Sequence, residues 1–198
     1  MNTWLPIPGE TPIAPSRLKD RTIKTPSELN KAEARNILRP HIKYLAGVPT
    51  KRIAPFDYSW VLRLHEEMYC EVWLFAGQTR QINLNIGVDW QFVSDQVLEL
   101  TRDLPCWVQG SMPILEQAMM LHYRAVWIHP FENGNGRWAR LLANIWLKLH
   151  KMPVVIWPEE DIKEQTSSIR DEYIRALYEA DRGDFGPLLE LHKQHLSK

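Results

Sequence analysis

A chain of 198 residues, 44% of them apolar, is long enough for one domain with a sizeable core. Lys plus Arg equals Asp plus Glu at 24 each, which excludes a global field favouring nucleic acid or an anionic membrane, so neither is expected as a partner. Cys70 and Cys106 are too few for a disulfide scaffold or a cysteine zinc site, and no apolar run reaches a membrane span, so a cytoplasmic setting with free thiols is expected.

Residues 1–24 carry Pro6, Pro8, Pro12 and Pro15 without a sustained period. They read as an extended N-terminal arm or a disordered leader, with Trp4 and Ile7 favouring a docked arm. Residues 25–198 read as a single domain. Thr25-Pro26-Ser27-Glu28 predicts a capping box that opens a first helix, and Pro40 is expected to end it. Trp60, Leu64, Met68, Val72 and Phe75 keep helical spacing after Asp57, up to a stop at Gly77.

The period then changes. Ile82, Leu84 and Ile86 alternate with Gln81, Asn83 and Asn85, and Gly87-Val88-Asp89 offers a turn before Gln91-Phe92-Val93, which predicts a lone β-hairpin over 81–93. Ser94 or Asp95 caps a helix running to about Trp107, with a kink expected at Pro105. Ser111-Met112-Pro113 opens another that reaches Ile128. Leu141, Leu142, Ile145 and Leu149 mark a helix that stops before Pro153. Glu159, Glu160 and Asp161 read as the acidic first turn of a helix. Ile169, Tyr173, Ala176, Leu177 and Ala180 predict a further helix ended near Gly183, and 184–197 a last one whose His192 and His195 are expected in solvent. The fold class is mainly α, with one hairpin.

Chemistry concentrates in HPFENGNGRWAR, His129 to Arg140. Gly134, Asn135 and Gly136 can take the positive-φ geometry that turns successive N–H groups toward one anion, and a helix starts there. Arg137 and Arg140, three apart, share the first turn of that helix and can grip two parts of a polyphosphate. His129 can take a proton from an attacking hydroxyl. Pro130 pushes His129 toward an extended conformation and Phe131 anchors the loop in the core. His122 and His129, seven apart, lack the third ligand of a zinc site.

At these residues the chain resembles the Fic family, whose signature HxFx(D/E)GNGRxxR it matches at every fixed position except Asn133. The segments LHEEMYCEVWLFAGQTRQINLNIG (64–87) and LYEADRGDFGPLLEL (177–191) also resemble that family. GETPIAPSRLKDRTIKTPSELNKAEARNI together with HPFENGNGRWAR is most similar to its small branch labelled mobile mystery protein B.

The resemblance implies a Fic-type helical domain with one β-hairpin flap, and transfer of AMP from ATP or another nucleotide to a Tyr, Thr or Ser hydroxyl of a target protein. It implies Mg2+ at position 133, where Asn133 offers an amide oxygen in place of the usual carboxylate. The flap, with Ile86, Gly87 and Val88, would hold an extended target segment beside the base. A non-catalytic nucleotide-binding regulator and a Fic-fold kinase or other phosphotransferase are the alternatives. Relatives carry an inhibitory (S/T)xxxE(G/N) motif; here Ser168 to Glu172 has the spacing but is followed by Tyr173, and Glu28 and Glu33 lack the preceding Ser or Thr. Restraint by a separate antitoxin-like partner is therefore expected.

Overall fold

The computed structural model describes residues 15–163 and 166–198. After a 3-10 turn at Pro15–Arg17, the helices are α1 (Pro26–Leu45), α2 (Tyr58–Tyr69), α3 (Val93–Gln109), α4 (Ile114–Ile128), α5 (Asn135–Leu149), α6 (Glu159–Lys163), α7 (Ser168–Asp181) and α8 (Gly186–Gln194), with a second 3-10 turn at Trp90–Phe92. The docking expected of Trp4 and Ile7 lies outside the described residues. No described helix is long and apolar enough to cross a membrane.

Helix α5 is buried through Trp138–Leu147, as expected of a helix packed on all sides rather than on one stripe. It runs back against α4, and the signature loop joins the two. The remaining helices wrap this pair. Polar side chains inside the core satisfy backbone groups that helices and turns leave over. Asn144 of α5 accepts from Val155 N–H at 2.8 Å and donates to its carbonyl at 2.9 Å, which pins the strand-like segment leading to α6.

The capping box forms: Glu28 N–H donates to Thr25 Oγ1 at 3.2 Å, and Thr25 N–H donates to the Glu28 carboxylate at 3.1 Å. Pro40 does not end α1. The helix runs on to Leu45 because Tyr44 is buried against Trp60, whose Nε1 donates to its hydroxyl at 3.3 Å, and this packing outweighs the cost of about 3 kcal/mol for an interior proline. Helix α2 stops at Tyr69 rather than near Gly77. Residues 17–19 take the backbone groups that a longer helix would use, through Lys19 N–H to Val72 O at 2.9 Å and Leu74 N–H to Arg17 O at 3.0 Å. Val72 and Phe75 are core residues all the same.

The β-hairpin expected over 81–93 is not formed; among the described residues the only β pairings are isolated bridges, Leu18 with Trp73 and Val155 with Leu196. The stretch is a loop. Leu84 and Ile86 are half-buried between exposed Asn83 and Asn85, but Ile82 is exposed, so the alternation holds only in part and records which side faces the protein. Groups that a ladder would need are taken by side chains. The Arg80 guanidinium donates to the carbonyls of Ile82 and Val88, and Asn83 Oδ1 accepts from Trp90 N–H at 2.9 Å.

His65, His122, His129 and His192 are all buried. Burial lowers every one of them: His65 to about 3, His129 and His192 to about 4, and His122 well below 6.5. Their folded values lie below the unfolded one, so their contribution to stability is complete above about pH 6.5 and is lost as pH falls toward the folded values. With four such groups, unfolding free energy should fall by up to roughly 5 kcal/mol per pH unit below about pH 5.5. Urea titrations at half-unit steps from pH 7 should therefore show unfolding without denaturant near pH 5; constant stability down to pH 4.5 would contradict neutral burial of these rings.

Candidate functional site

Gly134, at φ 81°, is the N-cap of α5, and no side chain caps the N–H groups of that helix's first turn. Those groups and the positive end of the dipole open on a cavity of about 180 Å³ lined by His129, Asn133, Gly134, Gly136, Arg137 and Arg140. The loop before it is fixed from below. Asn135, buried, accepts from Phe131 N–H at 2.9 Å and donates to Phe131 O at 2.8 Å, so its side chain builds the loop and is not presented to an anion. Phe131 is enclosed between His65, stacked at 3.6 Å, and the edge of Trp138.

His65 was not legible as a site residue, being one more position on the buried face of α2. Its ring accepts from Gly77 N–H and donates to Asn133 O, each at 3.0 Å, and so ties the signature loop to the turn at 77. Glu132 turns away from the cavity to pair with Arg17. Asn133 remains beside it.

His129 ends α4 at φ 52°, ψ 61°, a left-handed conformation rather than the extended one expected from the following proline. Strain of this kind in a non-glycine residue persists only where its surroundings over-determine it. Here Arg80, itself buried, donates from Nε to His129 O at 2.7 Å and from its backbone N–H to Pro130 O at 2.9 Å. The same guanidinium holds the 81–89 loop, and Gly87 lies against the His129 Cβ so closely that a Cβ on Gly87 would fall 2.5 Å from it. Loop and imidazole are thereby locked together. Burial, and secondarily the Arg80 charge, depresses His129 to about 4 against an opposing hydrogen bond to the Val126 backbone, leaving a neutral base at physiological pH.

Both signature arginines are engaged by carboxylates. Arg137 Nη1 donates to Glu33 Oε2 of α1 at 2.8 Å, while Trp73 Nε1 donates to Glu33 Oε1 at 2.9 Å. Arg140 donates from Nε and Nη2 to the two oxygens of Glu159 at 2.8 and 2.5 Å, and from Nη1 to the Tyr173 hydroxyl at 3.3 Å. Burial opposes the charge on each arginine, but Glu33 and Glu159 more than compensate and keep both protonated. Arg140 in turn holds Glu159 below the usual carboxylate range despite its burial. The inhibitory motif sought in the sequence is absent from Glu33 and Glu159, yet both pair with these arginines.

Glu33 is nearly inaccessible, whereas the Glu159 side chain is about one-third exposed on short α6 and can be displaced. Substituting Glu159→Gln keeps the shape and removes the charge that competes with an incoming anion. Affinity for the ATP analogue AMPPNP, read by calorimetry, should rise about tenfold, since a hydrogen bond to a charged group contributes roughly 1.5–3 kcal/mol. Unchanged or weaker binding would show that Glu159 does not compete.

A second cavity of about 360 Å³ shares His129, Gly136, Tyr173 and Ile174 with the first, and is walled by Ile86, Gly87, Trp127 and Tyr178. Val88 is not on its wall; it packs half-buried against the core. Among the described residues no three His, Cys, Asp or Glu side chains form a metal-binding group.

Residues 55–147 match the model of the Fic/DOC family. Protein adenylyltransferase fic-1 of Caenorhabditis briggsae is 33% identical over 61% of this chain and 23% of its own length. Protein adenylyltransferase Fic of Nematostella vectensis is 36% identical over 75% of this chain and 34% of its own. The chain therefore spans a quarter to a third of these curated relatives. BepC of Bartonella tribocorum, whose crystal structure holds AMPPNP, shares the fold at TM-score 0.67 and 16% identity, covering 96% of this chain and 95% of that one.

Proposed function

We propose that the protein, whose residues 55–147 match the Fic/DOC family model, transfers AMP from ATP to a Tyr, Thr or Ser hydroxyl of a target protein. The observation that carries this is the opening of an uncapped helix N-terminus, two arginines and a neutral imidazole on one cavity. The relatives named protein adenylyltransferases support AMP as the transferred group, and the AMPPNP-bound neighbour supports ATP as donor.

In this reading the backbone of Gly134 to Gly136 cradles phosphate, and Arg137 and Arg140 balance the charge that accumulates on the leaving pyrophosphate. The nucleoside extends into the aromatic-walled second cavity. His129 accepts the proton of the target hydroxyl as its oxygen bonds to the α-phosphorus and the bond to the β-phosphate oxygen breaks. The 81–89 loop, through Ile86 and Gly87, presents the target beside His129, to which Gly87 is already packed, and Val88 supports the loop from the core side.

Mg2+ would arrive with the nucleotide, held by its phosphates and the Asn133 amide oxygen. It would neutralise phosphate charge. The neutral ligand suits this role less well than a carboxylate, so Asn133→Asp should lower the Mg2+ concentration for half-maximal activity severalfold; a titration showing an equal or higher requirement would remove Asn133 from the metal site. An antitoxin-like inhibitor would act by fixing an acidic group on Arg140, where Glu159 stands in this chain. Residues 25–198 as one domain after an arm over 1–24, the mobile mystery protein B branch and a cytoplasmic setting belong to the same proposal. Of the arm, the described residues 17–19 pair with 72–74, and the two free thiols suit a cytoplasmic setting.

Asn133 also favours a second reading, a regulator that binds nucleotide without turning it over. ATP labelled at the α- or γ-phosphate, incubated with the protein and cell lysate, separates the readings. Protein-bound α-label with pyrophosphate release supports AMP transfer. Protein-bound γ-label alone indicates a kinase, and binding without release indicates the regulator.

A further inference from the structure

Tyr173 leads from the cavity into the core. Its hydroxyl accepts from Arg140 Nη1 at 3.3 Å and lies 3.0 Å from His122 Nε2. His122 Nδ1 is 3.3 Å from His192 Nε2, and His192 Nδ1 is 2.8 Å from the Leu188 carbonyl. Helices α5, α7, α4 and α8 each contribute one side chain. The two ends set the direction of every bond. A guanidinium only donates and a carbonyl only accepts, so His192 carries its proton on Nδ1 and accepts at Nε2 from His122 Nδ1–H. His122 Nε2 then accepts the Tyr173 O–H, and the Tyr173 oxygen accepts from Arg140. One proton arrangement satisfies all four groups, with both rings neutral and in the Nδ1–H tautomer.

The cluster is sealed. His122 and His192 are inaccessible, and Trp157 packs edge-on to His192 with ring centres 4.9 Å apart. Apolar side chains could fill the same space without the cost of burying four polar groups. What the chain of bonds adds is direction at Arg140. Nε and Nη2 of that guanidinium are held by Glu159, while Nη1 is held by Tyr173, which lines the cavity together with Arg140. Glu159, about one-third exposed, can yield to phosphate, whereas Tyr173 is fixed by the bonds behind it.

We propose that Tyr173, backed by His122 and His192, is a positioning residue that keeps the Arg140 guanidinium aimed into the cavity while its carboxylate partner is exchanged for phosphate. This rests on Arg140 being a phosphate ligand, as in the function above. Burial holds both imidazoles neutral, His192 at about 4 and His122 well below 6.5, in keeping with the bond directions.

The test has a part that needs no ligand and a part that does. Long-range 1H–15N spectra at pH 7 should show His122 and His192 in the Nδ1–H tautomer; an Nε2–H tautomer at either ring overturns the network. Calorimetry with AMPPNP and Mg2+ then compares wild type, Tyr173→Phe, Arg140→Ala and the double variant, each checked for folding by circular dichroism. Tyr173→Phe should weaken binding about five- to tenfold, yet change it less than about twofold once Arg140 is alanine, the non-additivity of a residue that acts through another. Wild-type affinity in Tyr173→Phe, or the same loss in both backgrounds, overturns the proposal. Should Tyr173→Phe fail to fold, His122→Gln takes its place in the cycle with the same two outcomes. Failure of wild type to bind AMPPNP sinks the functional reading and this role together, whereas wild-type binding without coupling sinks the positioning role alone.

Discussion

His129→Ala is expected to lower AMP transfer by about 10²- to 10⁴-fold, the range for losing a general base, while AMPPNP affinity changes by no more than about twofold. The split follows from the proposed function, in which phosphate is held by the helix N-terminus and arginines and the imidazole meets the attacking hydroxyl. The shape of the pH profile carries further information. An exposed imidazole would impose an acid limb near pH 6.5, but His129 is depressed to about 4 and is already the free base throughout the neutral range. Activity should therefore stay level from pH 8 to pH 6. It should then disappear with the acid unfolding expected near pH 5, before His129 itself titrates. Single-turnover transfer measured beside circular dichroism at each pH checks this; an acid limb near pH 6.5 with the fold intact would mean that the imidazole is solvated. Equal loss of binding and transfer in His129→Ala would mean that the residue supports the cavity instead of the chemistry.

The parts of this site that could be read from the sequence are those contiguous in it. Gly134, Arg137 and Arg140 follow one another at spacings of three within two helical turns, so their meeting follows from helix geometry alone. The Thr25 capping box is equally local. Contacts between distant segments were not legible. Glu33 is 104 residues from Arg137, and on α1 nothing distinguishes it from a solvated glutamate until α5 is laid beside it. Glu159 reads as helix-opening acid and does occupy the first turn of α6, but its position against Arg140 is set by Asn144 pinning Val155 upstream.

His192, expected in solvent from its charged neighbours, is buried because α8 turns that face onto His122 of α4. The loop at 81–89 shows a different limit. A two-residue period predicts one covered side, which Leu84 and Ile86 show and exposed Ile82 does not, but pairing depends on which partner reaches the backbone first. Arg80 supplies that partner from a single buried side chain. An arginine clasp has no periodic signature.

Gly134→Ala should be the most disruptive single-methyl change in the molecule's cradle, and Gly183→Ala provides its internal control. Both glycines have positive φ, 81° and 91°, so alanine at either pays the left-handed strain of about 1–2 kcal/mol. They differ in surroundings. A Cβ at Gly183 meets nothing within 4 Å, whereas at Gly134 it would lie 2.6 Å from two ring carbons of Tyr69 and 2.8 Å from its hydroxyl. Tyr69 cannot yield easily, because it is fully buried, packs 4.7 Å from His65, and carries Arg137 over its ring at 5.3 Å. Overpacking of this kind costs roughly another 1–3 kcal/mol. Gly183→Ala should thus lower Tm by about 2–8 °C and leave AMPPNP binding intact, while Gly134→Ala lowers Tm by about twice as much. The relief available to Gly134→Ala is to push the loop outward, which moves the first-turn N–H groups away from the phosphate position. Binding should then fall by two orders of magnitude or more, about 3 kcal/mol, as several charge-assisted hydrogen bonds are lost together. Equal Tm losses in the two variants would mean that Tyr69 gives way, and normal AMPPNP affinity in Gly134→Ala would mean that phosphate is not held at this helix start.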